Sequence, residues 1–542
     1  MTSVPSETLP AIVNRMATAD PDRVFIQGVD GRSATWGQLQ SSTIDWAARF
    51  LSLGVKRGDV VVTILDAGVD AVSVWLGLAS IGAIDAATNP EFRGRMLAYA
   101  INNCQPELLV VAPQYVGIVE TVATELQTVK RVLVLDGDGN RLESQLPGVV
   151  ALGDLTPNSA DTAAARDQVR VPEFHDIACI TYTSGTTGPS KAVKLPWGQL
   201  HSINLGTFPI EDLTPSDVFY CTTSHAHFGS KSIPYHAAMA GGQVVMRPKF
   251  ALPSFWDDII KFQVTTGMLV GSMADLLLRD STGPTGPTSL RNLFMAPLGS
   301  NYREFSEKFG VRVCTAYNST EGGVAITSGW NPTNSSTVGS LRKGYPGFEV
   351  RLVDANDYEV PDGTVGECVI RSRVPWVMNA GYLNNDSATA SAWRNGWFHT
   401  GDALVRTPEG DYIFVDRLKD AIRRRGENIS SFEVEADVLA NPDIAECAAV
   451  AVPADSAEDE ILLFAVRRRG ATISPQDLHE DLQSRMARFM VPRYIEFVDE
   501  LPKTQATLRV IKAELRTRGV GPDTWDAKSK APQRQASTVA EK

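Results

Sequence analysis

Short aliphatic runs alternate with longer segments of helical character through most of the chain. Residues 59–66 enclose the run VVVTIL, and residues 69–80 predict a helix directly after it. Residues 107–113 and 131–136 hold further aliphatic runs that predict buried strands. This alternation is typical of layered α/β structures with mainly parallel strands. We therefore assign the chain to the α/β fold class.

Three later regions depart from this alternation. Residues 151–172 are rich in Ala, Asp, Thr and Asn, which favours a long surface connection. Residues 339–405 contain short β-type runs separated by Gly and Pro, which predict a smaller β-rich subdomain. A compact α+β unit of ordinary domain size follows; it is predicted from strand patterns over 444–452 and 460–466 and a helix pattern over 478–489.

Charge and composition exclude several classes of protein. The formal net charge is -12, and no block of basic residues forms a footprint for nucleic acid. The N-terminus lacks the basic start and apolar core of a signal peptide. The most apolar stretch, residues 72–87, is shorter than the roughly 20 residues of a membrane span. The six cysteines form no CxxC pair, which favours buried thiols in a reducing, cytoplasmic compartment.

The strongest local signal is a polar loop at residues 180–192, ITYTSGTTGPSKA. Its glycines let the backbone approach an anion and expose N–H groups. Hydroxyl groups and one ammonium complete a set suited to a polyphosphate. The set comprises Thr183, Ser184, Gly185, Thr186, Thr187, Gly188 and Lys191. The spacing excludes a Walker A loop, which requires GxxxxGK followed by Ser or Thr.

This loop resembles the signature loop of the adenylate-forming superfamily, which includes acyl-CoA synthetases, peptide-synthetase adenylation domains and luciferases. The resemblance implies that the loop holds the β- and γ-phosphates of ATP. Ala192 is a departure, because the family usually has Gly there. Residues 89–97, NPEFRGRML, also resemble the subgroup of crotonobetaine/carnitine-CoA-ligase-like enzymes. Together the family motifs cover about residues 20–520.

The segment YNSTE at residues 317–321 resembles the family's Tyr-Gly-x-Thr-Glu. The resemblance implies Tyr317 at the adenine, Thr320 at the α-phosphate and Glu321 as the ligand of Mg²⁺. A carboxylate is a hard oxygen ligand of the kind that Mg²⁺ prefers. Asn318 replaces the usual Gly, which alters the pocket for the acid.

The motifs WFHTGD and DRLKD follow in the family's order. The resemblance implies that Asp402 accepts hydrogen bonds from both ribose hydroxyls, which suits an acceptor-only carboxylate. It also implies that Arg417 contacts ribose or phosphate, that Lys419 is the hinge between two domains, and that Gly426 lines the pantetheine tunnel. The basic residues 423–425 are either a solvated patch or a receptor for the phosphates of coenzyme A.

The segment SHAHF at residues 224–228 falls where the family has an aromatic residue or His beside the substrate. The resemblance implies that His225 flanks the acid pocket. His225 and His227 do not indicate a metal site, because no carboxylate or Cys lies close to them in the sequence. Lys231 either pairs with a charged group on the substrate or is an ordinary solvated lysine.

The C-terminal motif is the largest departure from the family. Where the family has Pro-x-Thr-x-x-Gly-Lys, this chain places Arg509 at the catalytic lysine position and Leu508 at the Gly. Arg keeps the charge but differs in head-group geometry. Arg509 either performs the lysine's role, or makes adenylation slow, or marks a different nucleophile and substrate. Lys503 and Lys512 are alternative cations.

The resemblance implies an α/β N-terminal adenylation domain over residues 1–415, with layered subdomains and a β-rich subdomain. It implies a hinge over 416–420 and a small mobile α+β C-terminal domain over 421–520. We expect the polar tail over 521–542 to be disordered.

The predicted enzyme is an AMP-forming acid–CoA ligase. ATP, Mg²⁺ and coenzyme A are its cofactors, and a small aryl, short aliphatic or betaine-type carboxylic acid is its partner. Similar enzymes are commonly homodimers.

Two alternatives stay open. The first is a same-fold enzyme with another acceptor, which could be an amine, a carrier-protein thiol, or nitrite with an aryl amine. The second is a non-catalytic nucleotide-binding relative.

Overall fold

The computed structural model describes residues 7–135, 145–155, 159–183, 191–279, 283–284, 286, 288–299, 301–418, 422–424, 427–453, 459–486, 490–504 and 508–529. The chain forms two compact units. The first comprises Met1–Thr400 and Leu404–Phe414, and the second comprises Gly401–Ala403 and Val415–Lys542. Among the described residues, every helix is too short or too polar to span a bilayer.

The regular elements are numbered in chain order. The α-helices of the described chain are α1 Leu9–Ala19, α2 Trp36–Ser52, α3 Val69–Ser80, α4 Gly94–Cys104, α5 Val116–Glu120, α6 Ser159–Gln168, α7 Trp197–Thr207, α8 Gly229–Ala240, α9 Phe255–Lys261, α10 Gly271–Arg279, α11 Tyr302–Phe309, α12 Asp386–Ala392, α13 Ser431–Leu439, α14 Pro475–Arg485 and α15 Lys512–Arg518. The strands are β1 Val24–Gly28, β2 Ser33–Thr35, β3 Val60–Ile64, β4 Ile84–Ala87, β5 Leu108–Val111, β6 Arg131–Val134, β7 Val149–Ala151, β8 Ile177–Thr183, β9 Lys191–Pro196, β10 Val218–Cys221, β11 Gln243–Met246, β12 Thr266–Leu269, β13 Asn292–Met295, β14 Arg312–Ser319, β15 Gly323–Trp330, β16 Thr337–Leu341, β17 Phe348–Val353, β18 Gly366–Ser372, β19 Phe398–Arg406, β20 Asp411–Arg417, β21 Ile422–Arg424, β22 Glu427–Ile429, β23 Ile444–Pro453, β24 Asp459–Arg467, β25 Tyr494–Phe497 and β26 Trp525–Asp526.

Within the described residues, a 7-stranded sheet has the order β7-β6-β5-β3-β4-β8-β9. Its strands are parallel except for the antiparallel pair β8 and β9. Parallel strands are covered on both faces, which explains why they read as continuous aliphatic runs. The strands predicted at the runs within residues 59–66, 107–113 and 131–136, and the helix predicted at 69–80, are confirmed.

A 13-stranded sheet has the order β17-β18-β19-β20-β16-β15-β14-β13-β12-β10-β11-β1-β2 among the described residues. Its centre, from β11 to β14, is parallel. From β14 onward it becomes antiparallel through the hairpin with β15. The short β runs predicted over 339–405 are the strands β16 to β19 of this sheet. The mixed α/β architecture with a large first unit confirms the predicted fold class.

An aromatic core joins the helices that lie next to β8. Trp75 of α3 stacks on Trp197 of α7 with ring centroids 5.0 Å apart, and Tyr235 of α8 meets Trp197 edge-on at 6.0 Å. All three side chains are fully buried. Trp75 also donates its indole N–H to the carbonyl of Ala178 at 2.8 Å. This core fixes β8, whose last residue opens the polar loop.

The second unit contains a sheet of the order β23-β24-β25-β26, with α13 and α14 packed on it. The prediction of strands and a helix in this region is confirmed, with different helix bounds. Helix α14 begins earlier than predicted because Ser474 and Asp477 form a reciprocal capping box and Pro475 occupies the first turn. It ends at Arg485 because Met486 takes an extended conformation.

The structure corrects two predictions about connections. Residues 151–172 lie mostly at the surface, as predicted, but they contain the helix α6, because Ala-rich sequence has high helix propensity and Ala165 is buried in the first unit. The tail is not disordered from residue 521, because β26 pairs with β25 and Asp526 binds Arg493 at 2.9 Å. Residues 530–542 lie outside the described part.

The expectation of buried thiols is confirmed, because all six cysteines are buried and carry free thiols. Burial raises the pKa of Cys104 to about 11 and that of Cys179 to about 12, so neither is a thiolate at neutral pH.

Candidate functional site

The polar loop joins the end of β8 to the start of β9. Thr183 and Lys191 are register partners in this antiparallel pair, so the two arms of the loop lie side by side. The Thr183 hydroxyl donates to the Lys191 carbonyl at 3.4 Å. The predicted phosphate ligands between them lie outside the described residues; they are Ser184, Gly185, Thr186, Thr187 and Gly188.

The carboxylate of Glu321 lies at the base of this loop. Its Oε1 accepts hydrogen bonds from the Thr183 hydroxyl and from the Tyr382 hydroxyl, each at 3.4 Å. The Lys191 ammonium lies over the ring of Tyr382, 4.6 Å from its centroid. Tertiary structure therefore brings the predicted Mg²⁺ ligand together with both arms of the predicted phosphate loop, although more than 120 residues separate them in sequence.

Two amide side chains hold the backbone at Glu321. Gln199 of α7 donates its Nε2 to the carbonyls of Thr320 and Glu321, at 2.8 and 3.1 Å. Asn379 donates its Nδ2 to the Glu321 carbonyl at 2.9 Å. Both donors are buried, so their hydrogen bonds hold the backbone at Glu321 in place. The fixed backbone in turn sets the direction in which the Glu321 side chain leaves it.

The preceding residues of this segment lie at the end of β14. Tyr317 is 5% exposed and packs in the apolar cluster beneath the β-rich strands. Asn318 has a buried Oδ1 that finds no hydrogen-bond partner among the described residues. An unpaired buried acceptor is costly, and a ligand donor that reaches it removes that cost.

His225 and Lys231 belong to a buried polar cluster with Asp85 of β4 and Thr63 of β3. The Lys231 ammonium binds the Asp85 carboxylate, and Thr63 donates to the same carboxylate at 2.6 Å. His225 Nε2 lies 3.1 Å from the Thr63 hydroxyl and 3.6 Å from Asp85. Lys231 is only 2% exposed, so its interpretation as a solvated lysine is wrong.

The electrostatics of this cluster follow from burial and pairing. Burial, followed by the nearby Lys231 charge, lowers the pKa of His225 to about 3, so its imidazole is neutral at physiological pH. Burial alone would raise the pKa of Asp85, but the charge of Lys231 and the hydrogen bonds from Lys231 and Thr63 outweigh it, so the net shift of this pKa is downward. The ammonium also lies 4.8 Å from the centroid of the Trp75 ring, so the pair is enclosed on its apolar side.

In the second unit, two predicted nucleotide-binding residues are paired with each other. Arg417 Nε lies 2.9 Å from Oδ1 of Asp402, whose side chain is 4% exposed. The predicted hinge residue Lys419 and the predicted tunnel residue Gly426 lie outside the described residues. Arg424 is buried, binds Glu460 at 2.6 Å and donates to the Val491 carbonyl, so neither interpretation of the basic run holds for it.

Arg509 is exposed and pairs with Thr504 through two hydrogen bonds. The Thr504 amide donates to the Arg509 carbonyl at 2.7 Å, and the Arg509 amide donates to the Thr504 hydroxyl at 3.2 Å. Leu508 takes a φ of 53°, the left-handed conformation that favours Gly. Position 508 therefore keeps the backbone conformation that favours Gly, although it holds a leucine. Lys503 is engaged with Glu446 at 2.5 Å.

Comparison with known families decides the assignment. The family described as AMP-binding enzyme matches residues 13–383, which is more than half of the chain. The family described as AMP-binding enzyme C-terminal domain matches residues 433–507. The chain belongs to the AMP-binding enzyme family. This result confirms the adenylate-forming superfamily that the motifs predicted.

Curated relatives of this AMP-binding enzyme span nearly its whole length. It is 28% identical over 504 residues to the crotonobetaine/carnitine–CoA ligase of Salmonella heidelberg, covering 92% of this chain and 96% of the relative. It is also 28% identical to the crotonobetaine/carnitine–CoA ligase of Proteus mirabilis, with 90% and 93% covered. The ATP-bound structure of MatB from Rhodopseudomonas palustris superposes with a TM-score of 0.78 at 25% identity, covering 94% of this chain and 98% of that one.

Several residues around the AMP-binding enzyme's site carry no local sequence signal. Tyr382 lies 61 residues after Glu321, and Gln199 lies 122 residues before it. Asp85 lies 146 residues before Lys231. Each belongs to an unremarkable segment on its own, and only co-variation among homologous sequences would have pointed to it.

Proposed function

We propose that this AMP-binding enzyme is an acid–CoA ligase. It activates a small carboxylic acid with ATP as the acyl-adenylate and then transfers the acyl group to coenzyme A, releasing pyrophosphate and AMP. The observation that carries the proposal is the meeting of Glu321, Thr183, Tyr382 and Lys191 at the base of the polar loop. The named activities of the Salmonella and Proteus relatives support the same reaction.

The residues at this point suit a magnesium nucleotide. Glu321 offers carboxylate oxygens, two hydroxyl groups lie at its Oε1, and Lys191 adds a positive charge a short distance away. Mg²⁺ is usually held by one or two carboxylates together with phosphate oxygens and waters. When bound, Mg²⁺ would neutralise negative charge on the phosphates. Glu321 would hold it there, and Thr183 and Lys191 would flank the phosphate groups.

The chemistry needs charge and alignment rather than a protein nucleophile. In the first half-reaction a carboxylate oxygen of the acid attacks the α-phosphorus of ATP, and the bond to the β-phosphate breaks. Lys191 and Arg509 supply positive charge around the phosphates. Tyr317 contacts the adenine, Thr320 the α-phosphate, and Asp402 and Arg417 the ribose side. In the second half-reaction the thiolate of coenzyme A attacks the acyl carbon and AMP leaves.

The acid is small and occupies a pocket lined by Asn318 and His225. Asn318 offers a buried amide oxygen to a donor, and the neutral imidazole of His225 adds no charge. We place aryl, short aliphatic and betaine-type acids in the substrate class. The two ligases named for crotonobetaine and carnitine favour betaine-type acids within it.

A second candidate is an enzyme of the same fold that uses another acceptor, namely an amine, a carrier-protein thiol, or nitrite with an aryl amine. The observation that favours it is Arg509 in place of the usual lysine, next to Leu508 with a φ of 53°. A larger, planar cation at this point changes the geometry of the first half-reaction.

Product analysis separates these functions. The enzyme is incubated with ATP, Mg²⁺ and a panel of aryl, short aliphatic and betaine-type acids, with coenzyme A, with nitrite plus an aryl amine, or with neither. Pyrophosphate release and mass spectrometry report the products. An acyl-CoA with AMP supports the ligase. Pyrophosphate without a thioester supports the other acceptor, and ATP binding without pyrophosphate release would mean a non-catalytic relative.

A further inference from the structure

A hydrogen-bonded chain inside the second unit links Lys512 to Asp416. Lys512, the first residue of α15, binds Glu435 with Nζ and Oε1 2.8 Å apart and donates to the Ser431 hydroxyl. The Ser431 hydroxyl donates to Oδ2 of Asp416 at 2.6 Å, and the Ser431 amide donates to the same oxygen at 2.7 Å. The contacts therefore run from Lys512 through Ser431 to Asp416 without a gap.

Each end of this chain adjoins a residue with a proposed role in adenylation. At one end, the Arg417 amide donates to Oδ1 of Asp416 at 2.7 Å, and the Arg417 side chain binds Asp402. At the other end, Arg509 precedes Lys512 by three residues. Arg417 is thus hydrogen-bonded to one end of the path, and Arg509 lies three residues in sequence from the other end.

Backbone hydrogen bonds restrict the conformation of the segment between Arg509 and Lys512. Lys503 and Val510 form an antiparallel bridge, and the Ile511 amide donates to the Pro502 carbonyl at 2.8 Å. Together with the Thr504 contacts described above, these bonds pair residues 502–504 with residues 509–511, and we call these two paired segments the hairpin. The hairpin runs directly into α15, so Lys512 is the point that attaches it to α13.

Burial and charge show that Lys512 is held in place. Ser431 is fully buried, Asp416 is 5% exposed, and the side chains of Lys512 and Glu435 are 15% and 16% exposed. A single ammonium serves the Glu435 carboxylate and, through Ser431, the Asp416 carboxylate. Burial raises the pKa of Glu435 despite the opposing effect of Lys512. Moving Lys512 away would leave buried carboxylates without their cation, so Lys512 is not a substitute for the catalytic lysine.

We propose that Lys512 is a positioning residue that holds Arg509 in register with Arg417, acting through Ser431 and Asp416. The inference rests on the proposed function, because Arg509 and Arg417 must act together on ATP in the first half-reaction. Alignment dominates such a reaction, and a misplacement of roughly 1 Å costs on the order of 100-fold in rate. The second half-reaction does not use Arg509 in this scheme and is insensitive to its register.

The test compares three variants with a matched control. Lys512→Met keeps the side-chain length without the charge, Lys512→Arg keeps the charge, and Ser431→Ala interrupts the path but leaves the ion pair with Glu435. Lys528→Met is the control, because Lys528 is exposed in the same unit and its partner Glu460 keeps a second cation, Arg424. Pyrophosphate release with the best acid of the panel measures adenylation. Thioester formation from synthetic acyl-adenylate and coenzyme A measures the second half-reaction.

We expect Lys512→Met to lower the kcat of adenylation by about tenfold or more, with thioester formation changed by less than about twofold. Ser431→Ala should give a smaller loss in the same half-reaction, Lys512→Arg should recover most of the rate, and Lys528→Met should match the wild type. Equal losses in both half-reactions, or a wild-type rate in Lys512→Met, would overturn the proposal.

A second measurement separates this proposal from the proposed function. Hydrogen exchange is followed at the amides of Thr504 and Ile511, whose bonds hold the hairpin. Exchange should be faster in Lys512→Met and Ser431→Ala than in the wild type and in Lys528→Met, and this result needs no substrate. If the wild type releases no pyrophosphate with any acid, the proposed function fails. Unchanged exchange in Lys512→Met shows that Lys512 does not hold the hairpin, whatever the activity.

Discussion

The ammonium of Lys231 and the carboxylate of Asp85 form an ion pair that is almost completely shielded from solvent, with exposures of 2% and 0%. They come from different layers of the first unit, Lys231 from α8 and Asp85 from β4. Thr63 and His225 complete the polar contacts of the pair. Because buried ion pairs gain little net stability, the pair's importance lies in what happens when one partner is removed.

Lys231→Met should destabilise the first unit strongly, because it leaves the Asp85 carboxylate buried without a cation. We expect a loss of about 3–5 kcal/mol in the free energy of unfolding, measured by denaturant titration. The double variant Lys231→Met/Asp85→Asn should recover much of that loss, because no unpaired charge stays buried. A double variant as unstable as Lys231→Met would show that the pair is not electrostatically coupled.

Glu321→Gln should impair adenylation while the protein stays folded. The amide keeps an oxygen at the site but loses the charge that holds Mg²⁺, so we expect pyrophosphate release to fall by about 100-fold or more. The dependence on Mg²⁺ concentration should shift to higher values. Glu359→Gln serves as control, because Glu359 is exposed and pairs only loosely with Arg351 at 3.5 Å. Near-normal activity in Glu321→Gln would remove Glu321 from the metal role.

Arg509→Ala should slow the first half-reaction more than the second. The exposed guanidinium supplies positive charge around the reacting phosphates, so we expect adenylation to fall by about 100-fold. Thioester formation from supplied acyl-adenylate should change little. Arg469→Ala is a matched control, since Arg469 is also exposed in the second unit. A defect confined to thioester formation would show that Arg509 acts in the second half-reaction and not in the first.

Buried histidines should make the protein less stable in acid. Burial is the largest cause that lowers the pKa of His225 and His236 to about 3 and that of His201 and His227 to about 4. An unfolded chain titrates its histidines near 6.5, so below that pH it binds protons that the folded state does not. Their stabilisation is fully present above pH 6.5 and is lost as the pH falls toward 4. Each histidine contributes a slope of about 1.4 kcal/mol per pH unit.

The measurement is the free energy of unfolding at pH values of about 7, 6 and 5. His236 is a suitable probe, because it is buried between Phe208 and Phe219 and lies outside the proposed site. His236→Gln should reduce the slope of the free energy of unfolding against pH, below pH 6.5, by the contribution of one bound proton. His175→Gln, at a half-exposed position, is the comparison substitution. An unaltered slope in His236→Gln would mean that His236 titrates in the folded state.

Local hydrophobic patterns correctly predicted those strands and helices whose own residues show a clear strand-like or helix-like periodicity. The aliphatic run VVVTIL became β3, and residues 69–80 became α3, because hydrophobic periodicity expresses burial directly. The interpretation of residues 151–172 as a surface connection missed the helix α6, because Ala-rich polar sequence suits both an irregular connection and a helix. Packing of Ala165 decided for the helix. The prediction of disorder is wrong for residues 521–529, since Arg493 and β25 bind residues that carry no hydrophobic period of their own.

The sequence by itself determined the family, the loop chemistry and the candidate nucleotide ligands, because these reside in contiguous motifs such as TSGTTGPSK and YNSTE. Only the tertiary structure decided which charges are paired. Lys231 forms an ion pair with Asp85, Arg424 with Glu460, and Lys512 with Glu435. Pairing depends on which strands and helices become neighbours and on how much water they exclude. That information is distributed over residues far apart in the chain, and no local pattern contains it.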